Sequence, residues 1–212
     1  EALSPKAEKA AGIVNNFLQR AKEVLKGHHP ANMILLRGFA ESPRLLPLTE
    51  IYRLRPAAIA AYPMYRGIAK LVGMEVLSTG GTIEEEFKTL KDNFSKYDFF
   101  YLHIKGSDSA GEDGDFQRKV KVIEEVDRNI PLLTDLQPAA IAVTGDHSTP
   151  SVLKSHSWHA VPFLLYSAWC RPDKVDGFSE ESCSQGGLGR FPALKVMPLL
   201  LAHGRKFTKY GA

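Results

Sequence analysis

Short, almost continuously apolar segments recur along the 212 residues, each bounded by turn residues and separated from the next by helical periodicity. They are NMILLRG (32–38), PAAIAAYP (56–63), MEVL (74–77), YDFFYLHI (97–104), PAAIAVTG (138–145) and VPFLLYS (161–167). Runs of this kind read as strands buried on both faces, which is the pattern of a parallel sheet covered by helices. The intervening stretches read as helices: 5–26, with Ala7, Ala10, Val14, Phe17, Ala21 and Val24 spaced by three and four behind Ser4 and Pro5; 64–72; 83–94; 115–134, with Phe116, Val120, Ile123, Val126, Ile130 and Leu133 on one face; and 194–207, begun or kinked at Pro198. Alternation of the two periods predicts an α/β fold. The Gly pair in STGGT (78–82) reads as a linker between a small α/β unit and a second one.

Composition removes several function classes. Hydrophobic residues at 44% and charged residues at 24% exclude a disordered or fibrous chain. A net charge of +3, scattered and mixed with acids, argues against a nucleic-acid partner. No apolar run approaches the roughly 20 residues that cross a bilayer, and EALSPKAEKAAG lacks a signal-peptide pattern. Cys170 and Cys183 form no CxxC pair. These features together predict a cytoplasmic protein without a membrane partner.

The densest group of titratable side chains lies in VTGDHSTPSVLKSHSWHA, which holds Asp146, His147, His156 and His159 between two apolar segments. In open α/β sheets ligands bind beyond the carboxyl ends of strands. Three polar clusters are expected there: KGSDSAGEDGD after Ile104, DHSTP after Thr144, and His156 before Val161. Asp108 and Glu112 stand in a Gly-rich loop, while Asp146, His147 and His156 add a carboxylate and two imidazoles. Mixed oxygen and imidazole donors suit Zn or Mn. Five donors exceed what one catalytic ion with an open position takes, so two ions are expected. Asp113 and Asp115 read as caps of the next helix, His103 as a hydrogen-bonded core residue, and His28 and His29 as surface or helix-end groups. His159 stays open between a supporting group, a substrate contact and a loop residue. The residues alone lead to a metal-dependent hydrolase or transferase.

KGSDSAGEDGDFQRKVKVIEEVD, VTGDHSTP, HSWHAVPFLL and PANMILLRG, together with AAYPMYRGIAKLVGMEV and GGLGRFPALKVMPLLL, resemble the archaeal-type, cofactor-independent phosphoglycerate mutases of the alkaline phosphatase superfamily. The resemblance runs over nearly the whole chain. It implies an alkaline-phosphatase-like metal-binding core with a smaller inserted α/β substrate domain, here residues 83–212 and 1–82. It also implies interconversion of 3-phosphoglycerate and 2-phosphoglycerate with two divalent ions, Mn or Zn with Mg as a further candidate, and without 2,3-bisphosphoglycerate. Asp108, Glu112 and His156 would then hold one ion, and Asp146 and His147 the other. Many relatives carry His where Glu112 stands, in an Asp-x-x-Gly-His pattern, and a carboxylate there shifts preference toward harder ions.

The family's first strand with its Asp-Gly ligand and its nucleophilic Ser loop do not precede Glu1, so these residues resemble the second half of such an enzyme. KGHHPAN joins two family segments that a short basic stretch normally separates. The expected partner is a small phosphorylated substrate, with an N-terminal half or a second copy as macromolecular partner. Phosphoryl transfer through a phosphoserine needs cations to hold the substrate. Arg37, Lys105 and Arg66 are the candidates. Two rival readings are a metal-dependent phosphomonoesterase and a noncatalytic fragment or subunit.

Overall fold

A computed structural model describes residues 1–41 and 43–208. The chain divides into two compact units, Glu1–Arg44 and Leu45–Ala212. In the first, a 3-10 turn at Pro5–Ala7 leads into helix α1 (Glu8–Leu25), as the periodicity predicts, although the Ser4 hydroxyl makes no capping bond. NMILLRG, expected as a buried strand, has no regular structure, and Leu35 is 94% exposed. An apolar run becomes a strand only where a neighbouring backbone takes up its hydrogen bonds, and none does so here among the described residues.

The second unit carries the sheet. Helix α2 (Leu48–Tyr52) precedes β1 (Pro56–Ala60); α3 (Pro63–Leu71) leads to the short β2 (Glu75–Val76); and α4 (Ile83–Asn93) leads to β3 (Phe99–His103). The strands are parallel in the order β2-β1-β3, with Pro56 beside Phe99 and Ala60 beside His103. Asp98 fixes that register from the edge, because its carboxylate accepts the Arg55 backbone N–H at 3.0 Å and both arms of the guanidinium. β1 is buried throughout. Its alanines let helices approach closely, and Ala58 packs with Ala69 and Met74 while Phe87 of α4 is fully enclosed.

Because β1 and β2 hydrogen-bond into the same sheet as β3, a domain boundary at residue 82 would cut that sheet. Gly80 and Gly81 are a loop inside the unit and no linker. Their sequence signal has a local cause: Thr82 and Glu85 form a reciprocal capping box that starts α4.

Next come α5 (Gly106–Asp113), α6 (Phe116–Thr134), an antiparallel pair β4 (Ile141–Thr144) and β5 (Phe163–Tyr166), α7 (Glu180–Ser184), and α8 (Val196–His203). Two expectations change. β4 and β5 form a separate ladder and are half-buried, with Leu164 and Tyr166 turned outward. The Gly-rich stretch after β3, expected as a loop, is helix α5. Pro198 sits in the first turn of α8, where its missing N–H costs no intrahelical bond. Both cysteines are free, and no helix among the described residues is long and apolar enough to cross a membrane.

One buried charge deserves a test. Glu86 of α4 is 4% exposed, and its Oε1 accepts the Ala61 N–H at 3.0 Å just past β1. Burial outweighs that bond and pushes the carboxyl up to about 7 from 4.5. A folded-state value above the unfolded one means the stabilisation is present below pH 4.5 and lost as pH rises through 7. Relative to Glu86→Gln, the wild-type protein should therefore lose roughly 3 kcal/mol across that interval, at about 1.4 kcal/mol per pH unit. Urea unfolding of both proteins at several pH values reads this directly, and parallel profiles would show that Glu86 ionises normally.

Candidate metal centre

The site is built beyond the carboxyl ends of β3, in the parallel sheet, and β4, in the antiparallel pair: from α5 after the first and from the loop after the second. Helix α5 explains how two acids of a Gly-rich segment reach one place. Asp108 and Glu112 are four residues apart and share a face. Gly114, at φ +73°, ends the helix in the left-handed conformation, and Asp115 then caps α6 by accepting the Arg118 N–H at 2.9 Å. Asp113 pairs with the Arg118 guanidinium at 2.5 Å, so both outer acids serve the chain itself. Gly111 faces the carbonyl of Thr149 so closely that a Cβ there would overlap it. This contact docks α5 on the second loop.

That loop folds back on itself. Ser157 donates its N–H to the Ser148 carbonyl at 2.9 Å, and Leu153 and Lys154 bond back to Pro150. Closure brings residues nine apart together, with the His147 and His156 rings 3.9 Å apart between centroids. Lys119 of α6 pins the loop by donating to the Thr149 carbonyl at 2.6 Å.

Asp108, His147 and His156 converge there, with donor atoms all within 4.8 Å of one another. Asp108 Oδ1 is 3.5 Å from His156 Nε2 and 3.7 Å from His147 Nδ1. Glu112 joins through His156, its Oε1 3.5 Å from Nε2, and Asp146 joins through His147, its Oδ2 3.6 Å from Nε2. The five expected side chains thus form one continuous series. The trio that meets contains His147 in the place where Glu112 was expected, because the loop closure brings the two imidazoles together.

Electrostatics keep the acids charged. Burial alone would raise the Asp108 carboxyl, but hydrogen bonds from Lys105 and from the Thr149 hydroxyl outweigh it and hold the group below the usual range. Burial of Asp146 is likewise outweighed, chiefly by the Tyr65 hydroxyl and the nearby His147. Ionised carboxylates grouped with imidazoles are what a hard or borderline divalent cation binds.

Of the expected cations, Lys105 is hydrogen-bonded to Asp108 and lies 5.3 Å over the Tyr62 ring. Arg66 is half-buried in the first turn of α3 and makes no ion pair among the described residues. Arg37 belongs to the first unit and is exposed. His159 bonds to Ser157 at 2.8 Å and stacks on Trp158, outside the trio. His103 differs from expectation, since its Nδ1 has no hydrogen-bond partner among the described residues and its ring stacks on Tyr65. Burial lowers its pKa, so the ring is neutral near pH 7. Sequence reasoning assigned no role to Tyr65, Lys119 or Thr149. No local spacing links residue 65 to residue 146.

A model of the metalloenzyme superfamily matches residues 9–203. Over all 212 residues the chain is 53% identical to a probable 2,3-bisphosphoglycerate-independent phosphoglycerate mutase of Thermosipho melanesiensis, of which it covers 53%. A protein of the same name from Thermotoga maritima is 49% identical over the same span, again with 53% of it covered. Among solved structures, the PH0037 protein of Pyrococcus horikoshii is 31% identical with a TM-score of 0.87, over 98% of this chain and 60% of that one. A cofactor-independent phosphoglycerate mutase from Thermoplasma acidophilum is 26% identical with a TM-score of 0.65, over 96% of this chain and 54% of that one. The chain spans about half the length of the curated relatives it matches.

Proposed function

Because the chain belongs to the metalloenzyme superfamily, we propose that the protein of which it is part is a divalent-metal-dependent phosphoglycerate mutase, interconverting 3-phosphoglycerate and 2-phosphoglycerate without 2,3-bisphosphoglycerate. The observation that carries this reading is the convergence of Asp108, His147 and His156, with Glu112 and Asp146 at its two ends. The donor set fits two ions, Mn or Zn with Mg as the harder choice that Glu112 favours: Asp108, Glu112 and His156 would hold one, and Asp146 and His147 the other. Bound there, such ions supply charge stabilisation to a phosphoryl group in transfer and lower the pKa of a coordinated hydroxyl.

The chain's own residues prepare that site. Lys105 and the Thr149 hydroxyl keep Asp108 ionised and oriented, and Lys119 holds the loop that carries His147 and His156. Lys105, Arg66 and Arg37 are the cations assigned to the carboxylate and phosphate of the substrate. The Thr149 hydroxyl is engaged by Asp108 and His147, and on the family resemblance the nucleophilic Ser is assigned to a part of the protein outside these residues. In this reading a smaller inserted substrate domain belongs to the N-terminal part of these residues.

The test is product analysis on the full-length protein with 3-phosphoglycerate and Mn, followed by phosphorus NMR. The expected result is 2-phosphoglycerate that disappears on chelation and returns with Mn. Release of free phosphate alone would overturn the mutase assignment in favour of a phosphomonoesterase.

A further inference from the structure

Asp146 is held from two directions. Its Oδ1 accepts the N–H of His147 at 3.1 Å, inside its own loop, and its Oδ2 accepts the phenolic O–H of Tyr65, which is 81 residues away. Tyr65 stands in the first turn of α3, directly after β1, and its ring lies flat on His103 with centroids 3.5 Å apart and planes 23° apart. The β1–β3 register brings the turn after β1 next to His103, because Ala60 and His103, the last residues of the two strands, are side by side. Glu86 anchors the start of the same turn by accepting the Ala61 N–H. Tyr62, from that turn too, lies under the ammonium of Lys105, which in turn bonds Asp108. A single turn after β1 thus supports both Asp146 and the partner of Asp108.

Asp146 Oδ2 is also the oxygen that sits 3.6 Å from His147 Nε2. We propose that Tyr65 is a positioning residue: its hydroxyl holds Asp146 Oδ2 beside His147 Nε2, so that the two donor atoms are already paired when a divalent cation arrives. This rests on the assignment of Asp146 and His147 as cation ligands. A carboxylate oxygen has a second lone pair, so it accepts from Tyr65 and ligates at once. Without the hydroxyl, the carboxylate is free to turn about its side-chain torsions, and ordering it falls on the cation. Partners that orient ligands in this way are typically worth about 10- to 100-fold in metal affinity.

Calorimetric titration of the full-length protein with Mn, for wild type, Tyr65→Phe, Asp146→Ala and the double variant, tests the assignment. Phenylalanine keeps the stack on His103 and removes only the hydroxyl. The expected result is one Mn-binding event weakened by about 10- to 100-fold in Tyr65→Phe. The melting temperature without metal should stay close to wild type, and Tyr65→Phe should have no further effect once Asp146 is alanine. If Asp146→Ala weakens Mn binding and Tyr65→Phe does not, the positioning role is refuted while the ligand assignment stands. If Tyr65→Phe weakens binding equally with and without Asp146, the hydroxyl acts elsewhere and the proposal fails. If Asp146→Ala binds Mn as wild type does, the ligand assignment itself falls, and the proposal with it.

Discussion

Asp108→Asn should weaken Mn binding by more than about 100-fold, beyond the range expected for a residue that only supports a ligand. Asn keeps the shape and can still accept the Thr149 hydroxyl, so the loop should remain folded. What it loses is charge. Asp108 is the carboxylate around which the site is organised: it is 13% exposed, 3.5 Å from His156 and 3.7 Å from His147, and bonded to Lys105. With an amide there, Lys105 becomes an uncompensated cation beside two imidazoles, and the site then repels the ion that Asp108 should hold. Calorimetry with Mn on the full-length proteins measures the effect. Undiminished affinity would place the cation away from Asp108.

Gly111→Ala should destabilise the protein by about 1–3 kcal/mol, the range for forced overpacking, and reduce Mn affinity at least about tenfold, as the loss of a ligand-orienting contact does. Helix propensity predicts the opposite sign, since alanine in a helix interior is favoured over glycine by about 1 kcal/mol. The collision decides. The new Cβ would overlap the Thr149 carbonyl oxygen and come within 3.0 Å of its Cγ2, and Thr149 is only 4% exposed and already tied to Lys119. Moving it away disturbs its bonds to Asp108 and His147. Gly67 of α3 is the control, because nothing lies within 4 Å of a Cβ placed there. Gly67→Ala should be neutral or stabilising by up to about 1 kcal/mol. Urea unfolding of the two variants separates propensity from packing, and equal stability of both would remove the close contact from the account.

Much of the architecture follows from local chemistry. β1 and β3 were legible because an uninterrupted apolar run between turn residues has few alternatives to a covered strand. The same holds for α1, α3, α4 and α6, whose periodicity is a short-range property, as are the side-chain caps of α4 and α6. Failures came where a segment's state depends on its partner. NMILLRG has a strand's composition and no strand beside it, and β5 exposes Leu164 and Tyr166 although its apolar run reads as enclosed. The α5 segment reads as a loop because its glycines disfavour a helix by about 1 kcal/mol each. Burial of Ala110 and the close packing of Gly111 against Thr149 override that preference.

For the site, residue type and spacing were enough to select Asp108, Glu112, Asp146, His147 and His156, because mixed carboxylate and imidazole clusters in polar segments beyond strands have a narrow range of uses. How those donors group depended on a bond between Ser148 and Ser157 that brings His156 against His147. The supports of the site, Tyr65, Lys119 and Thr149, come from elements whose meeting is decided by strand order and helix docking. Sequence alone determined which donors are present and which stretches form the elements, since both depend on neighbours within a few residues. Tertiary structure decided which donors face one another and what holds them, because hydrogen bonds and contacts across dozens of residues leave no periodic trace along the chain.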